Sequence, residues 1–153
     1  MVARFLSENM LISPPAIPDV KSADTRPFWS VMIPPYNPQA DYLEATLRSV
    51  LDQDPGPERM QIEVVDDGSN DNTASEVTRR LGAGRVTFHA ESQNRGLANN
   101  WNRCVKRARG HWAHILHHDD IVLPGFYDLL RKGAERSDAG AIFCRHPVAN
   151  SIN

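Results

Sequence analysis

Four short apolar runs, at 28–33, 61–65, 86–90 and 111–117, each stop at a cluster of polar or turn-forming residues, and the segments between them carry apolar residues at helical spacing. The first run, FWSVMI, meets Pro34 and Pro35, which cannot both continue a central ladder. The second, QIEVV, meets DDGS, and the fourth ends in Asp119 and Asp120. Strands that alternate with helices in this way pair in parallel through crossovers. The expected fold is therefore α/β, a mainly parallel sheet with helices on both faces.

The helical segments are equally explicit. Over 41–53, Leu43, Leu47, Val50 and Leu51 form one stripe, with Asp41 and Glu44 in capping-box-like positions and a DPGP stop at 54–57. Thr73 and Glu76 make a second box ahead of Ala74, Val77 and Leu81. In the third helix Leu97, Trp101, Val105 and Ala108 share the face expected to be buried, and Gly110 closes it. Pro124 suits the first turn of a fourth helix that carries Leu129 and Leu130 to Gly133, and 141–145 reads as a last strand.

Seven of the eleven prolines precede residue 39, so residues 1–26, which follow neither period, read as an arm or linker before a domain at 27–153. The chain has 153 residues, 41% of them hydrophobic, enough to bury about 68–70% of its unfolded surface. A formal charge of -2 argues against a nucleic-acid partner bound through a global basic field. No apolar run reaches the ~18–20 residues of a membrane span, and the first residues lack a secretion signal's layout, so a cytoplasmic location is expected. Cys104 and Cys144, without C-x-x-C spacing, suit a reducing compartment and read as core thiols.

In an open α/β sheet, ligands bind beyond the carboxyl ends of the strands. Here those ends carry 34–37, 66–71, 93–96 and 117–120, with two carboxylate pairs expected to converge on one cleft. Like charges at ~4 Å repel by ~4 kcal/mol at an effective dielectric of 20. A divalent cation or a ligand rich in N–H and O–H groups would relieve that. Turn formation and helix capping also account for the DDGS composition.

The strings MIPPYN, IEVVDDGSNDNT and NRGLANNWNRCVKRARGHWAHILHHDD, in that order, resemble the amino-terminal half of a family 2 glycosyltransferase of the GT-A fold. The resemblance covers roughly residues 28–147. It implies a nucleotide-diphosphate-sugar donor, a carbohydrate or lipid-linked acceptor, and transfer to an acceptor hydroxyl with inversion. It implies Pro34, Tyr36, Asp66 and Asp67 around the base and ribose, and Asn94, Arg95 and Gly96 along the donor site. At the D-x-D position it implies Mn2+ or Mg2+ held by Asp119 with His117 and Asp120.

The chain departs from the family pattern twice. Pro35 replaces a small polar residue, and His117 replaces the first carboxylate of D-x-D, a softer donor that suits Mn2+ better than Mg2+. The family's general base lies downstream of that motif, so it is expected beyond Asn153, and the chain reads as the donor-binding half alone. The alternative is a non-catalytic nucleotide-sugar-binding fragment or subunit completed by a second chain. A metal-dependent phosphohydrolase fits less well, without a D-x-D-x-T or P-loop motif.

Other signals have simpler readings. His111 and His117 fall on one side of a strand and His114 on the other, which does not suit zinc. Of the cations Arg95, Arg103, Lys106, Arg107 and Arg109, the last three or four suit a helix carboxyl terminus, with a lesser role for Arg95 at the diphosphate or for the helix at anionic lipid on the inner membrane face. Peripheral membrane association and a homo-oligomer are compatible with these features. Trp29, Trp101 and Trp112 all read as core.

Overall fold

A computed structural model describes residues 26–138, 140–142 and 144. Strand and helix alternate as β1 (Trp29–Ile33), α1 (Ala40–Leu51), β2 (Met60–Asp66), α2 (Thr73–Gly82), β3 (Thr87–Ala90), α3 (Leu97–Arg107), β4 (Trp112–Ile115) and α4 (Phe126–Ala134). The four strands form one parallel sheet in the order β3-β2-β1-β4, with Trp29 opposite both Met60 and Trp112. The chain therefore steps outward from β1 twice, then crosses back to add β4 on the other side. A ligand crevice in such a sheet opens where that direction reverses, between the carboxyl ends of β1 and β4.

All five residues of β1 and all seven of β2 are buried, as strands covered on both faces must be. On one face Val31, Ile33, Ile62 and Val64 pack with Leu43, Leu47 and Val50 of α1 and with Ala74 and Val77 of α2. On the other, Met32 and Val65 meet Cys104 of α3. Beside this small cluster Ser30 bonds Gln61 at 2.7 Å, Gln61 bonds Glu63 at 3.0 Å, and Glu63 pairs with Arg107. The backbone N–H groups of Arg109 and Gly110 donate to Ser30 Oγ at 3.0 and 2.7 Å. A side chain at position 110 would reach 2.7 Å from the Ser30 nitrogen, so only glycine lets the chain enter β4 there.

Several expectations need correction. Neither capping box forms: α1 begins at Ala40, so Asp41 already lies inside its first turn, and Glu44 is drawn to Arg48 and Arg80. Thr73 likewise makes no cap bond, and its N–H donates to Asp71 at 2.9 Å. Pro124 precedes α4, whose N-cap is Gly125. In α3 the buried side chains are Asn100 and Cys104, while Leu97 and Trp101 are 59% and 36% exposed. Asn100 Nδ2 donates to the Val65 carbonyl at 2.8 Å, which brings an amide over the sheet in place of Leu97 and Trp101, while Ala108 of the expected stripe still packs against Met32, Val65 and Cys104.

Ala141, Ile142 and Cys144 form no strand, and Cys144 is exposed rather than core. The rest of 141–145 and the arm at 1–25 lie outside the described residues. Trp29 is buried and Trp112 packs against the core. The His114 ring lies against Phe126 and Tyr127, and that of His117 against Trp101. Among the described residues no helix is long and apolar enough to cross a membrane.

Candidate functional site at the carboxyl edge of the sheet

The loop after β1 turns at Pro34 and Pro35, both buried, and presents Tyr36, 42% exposed. Asn37 takes a left-handed φ of 46°, a conformation asparagine tolerates, and so faces the β2 loop. Its N–H donates to Ser69 Oγ at 2.8 Å and its side-chain oxygen accepts from the Asn70 N–H at 2.8 Å. The Asp67 N–H donates to the Pro35 carbonyl at 3.0 Å.

The loops after β2 and β3 are joined as closely. Gly68 has φ 73°, and a Cβ there would stand 2.5 Å from the Gln93 carbonyl carbon. Asp67, 2% exposed, accepts from the N–H groups of Arg95 at 3.2 Å and Gly96 at 2.9 Å, and from the Arg103 guanidinium at 3.2 Å. Asp66, 4% exposed, accepts from the Ser69 N–H at 2.9 Å and from its hydroxyl. Both carboxylates are thus met by donors of the chain itself, a third solution to the repulsion beside the cation and the ligand.

The β4 end is held from α1. Thr46 Oγ1 donates to the His118 carbonyl at 2.9 Å, and the Val122 N–H donates to Ser49 Oγ at 3.1 Å. Asp119 and Asp120 are exposed and His117 is half-buried with its ring edge-on to Trp101, 5.3 Å between centroids. The strands that lead to the two carboxylate pairs, β2 and β4, flank β1, about 10 Å apart across two strand spacings.

Pro34, Tyr36, Asp66, Asp67, Asn94, Arg95 and Gly96 thus belong to three loops bonded to one another, while His117, Asp119 and Asp120 stand across β1. Among the described residues no three His, Cys, Asp or Glu side chains are close enough to hold an ion by themselves. The exposed carboxylates of Asp119 and Asp120 fit a hard cation that takes its remaining ligands from phosphate oxygens and water, the usual manner of Mg2+.

Sequence reasoning missed Asn37, Ser69, Asn100 and Arg103. Only Asn37 and Ser69 carry a local signal, as turn formers. Arg103 was assigned to the helix terminus, yet it pairs with Asp67 and Glu91, and Arg107 pairs with Glu63. Burial pushes the Cys104 thiol up to about 12, helped by the Glu63 charge, so it is no nucleophile.

Known proteins bear on this edge. An uncharacterized protein of Mycobacterium tuberculosis is 38% identical over 123 residues, covering 80% of this chain and 37% of that protein. The succinoglycan biosynthesis protein ExoO of Rhizobium meliloti is 34% identical over 128 residues, 84% of this chain and 33% of that one. Among solved structures, the mannosyltransferase PcManGT of Pyrobaculum calidifontis, in complex with GDP-Man and Mn2+, matches at 29% identity and TM-score 0.58, over 68% of this chain and 30% of that one. TarS of S. aureus in complex with UDP-GlcNAc matches at 26% identity and TM-score 0.57, over 70% of this chain and 30% of that one. The chain spans about a third of the length of these relatives. The sheet has the GT-A arrangement, and with the family description "Glycosyl transferase family 2" matching residues 30–152, the chain belongs to glycosyl transferase family 2.

Proposed function

We propose that this domain binds the nucleotide-diphosphate-sugar donor of an inverting glycosyltransferase that builds a polysaccharide or glycoconjugate of the cell envelope. The observation that carries the reading is the rim of loops after β1, β2 and β3 that Asp67 ties together at the carboxyl edge of a family 2 sheet. In this reading Tyr36 and Pro34 border the base, the Asp66 carboxylate accepts from base or ribose, and Asn94, Arg95 and Gly96 line the diphosphate side. Asp119, with His117 and Asp120, would hold Mn2+ or Mg2+ on the diphosphate side. A bound cation offsets the charge developing on the leaving phosphate. The acceptor oxygen bonds to the anomeric carbon as the bond to the diphosphate breaks, and a carboxylate outside the described residues removes the hydroxyl proton. A cytoplasmic location, at or near the inner membrane face, belongs to the same proposal.

Calorimetric titration with UDP and GDP, with and without Mn2+, tests this. Binding that strengthens with Mn2+ and weakens in Asp119→Ala is expected; no binding of either nucleotide would sink it. A second reading is a donor-binding unit that needs another segment or chain for transfer. Donor hydrolysis or transfer by the 153-residue chain alone excludes that reading.

A further inference from the structure

The amino-terminal half of the α3 stripe that its apolar spacing would bury is left open by the fold, while Val105 and Ala108 further along are partly buried. Leu97 is 59% and Trp101 36% exposed, one turn apart at the carboxyl edge of the sheet. Their placement is fixed from below, because Asn100 is tied to the Val65 carbonyl and Gly96 to Asp67. The Trp101 ring is also fixed in plane: it meets the His117 ring at 89° with 5.3 Å between centroids. Edge-to-face packing of this kind orients an indole while leaving part of its surface free.

His117 lies two residues past the end of β4, in the segment that the proposed function places at the donor's diphosphate. A nucleotide sugar carries its glycosyl ring bonded directly to that diphosphate, whereas its base lies toward the β1 and β2 ends. An indole one ring away from His117 is therefore placed for the sugar. Its open apolar surface matches the C–H face of a pyranose ring, the pairing that aromatic walls of ligand sites provide.

We propose that Trp101, flanked by Leu97, is the platform on which the donor's glycosyl ring packs, and so a determinant of which sugar is accepted. The inference rests on the donor-site reading and goes further by naming the residue that senses the sugar.

The test compares UDP, UDP-Glc, UDP-Gal, UDP-GlcNAc, GDP and GDP-Man, each with Mn2+, on the wild type, Trp101→Ala and Trp101→Phe, with thermal unfolding as a check on folding. At least one sugar nucleotide binds the wild type more tightly than its parent diphosphate. Trp101→Ala loses roughly 10-fold of that affinity, the worth of packing on the order of 60 Å2 of apolar surface. The parent diphosphate's Kd stays unchanged, and Trp101→Phe recovers most of the loss. Sugar-dependent indole emission present in the wild type disappears in Trp101→Phe. Equal loss for diphosphate and sugar nucleotide, no loss, or no sugar contribution in the wild type overturns the platform. Failure of the wild type to bind any nucleotide overturns the donor site itself, a separate result.

Discussion

Asp67 concentrates three roles in one residue, the first through its backbone and the other two through its carboxylate. Its N–H bonds the β1 loop, its oxygens bond the amides of Arg95 and Gly96, and its charge holds Arg103. Asp67→Ala leaves the Arg95 N–H without its acceptor, Gly96 with Asn94 alone and Arg103 with Glu91 alone, and a loss of about 1–3 kcal/mol of unfolding free energy is expected in urea denaturation. The Asp66 carboxylate bonds only its own turn through Ser69, so Asp66→Ala costs less. A ΔΔG for Asp67→Ala no larger than that for Asp66→Ala would contradict this division. The acidic pair was legible in the sequence because strand ends and turn formers are local signals. The division of labour was not, since it depends on Arg103 and Gly96, which reach Asp67 only once α3 is docked.

At the scale of elements, every strand and helix of the described sheet was legible, with ends displaced by a few residues. Continuous apolar runs mark buried parallel strands whatever surrounds them. What α3 buries at its amino-terminal half was hidden, because apolar spacing names Leu97 and Trp101 while the side chain over the sheet is the amide of Asn100. Connections between elements depend on Gly68, whose left-handed φ and close approach to Gln93 no other residue meets without strain. Gly68→Ala costs more than the ~1–2 kcal/mol of an L-residue in that conformation. It also pushes the 93–96 loop away, so hydrogen exchange at the Arg95 and Gly96 amides accelerates. Unchanged protection there would show that the loop holds without the close contact.

For the whole molecule, α4 is fastened to the sheet through His114, Tyr127 and Trp29. Burial holds the His114 imidazole down to about 4 against an ordinary 6.5. The unfolded chain therefore binds an extra proton between those values, so this contribution is complete above pH 6.5 and fades as pH falls toward 4. Urea denaturation across that window should show the wild type losing on the order of 1–3 kcal/mol more than His114→Gln. Equal slopes would refute the assignment. Glu44 and Asp128, held at about 2 by their cationic partners, act in a lower window, below 4.5 and 3.8 respectively. The strand order has a kinetic consequence as well. β1 pairs with β2 after one helix, but its other edge waits for β4, whose Trp112 meets Trp29 across most of the described chain. Closing so long a loop is a late event in folding. During synthesis the β1–β2–β3 layer can assemble first, and the crevice comes into existence only when the ribosome has released β4.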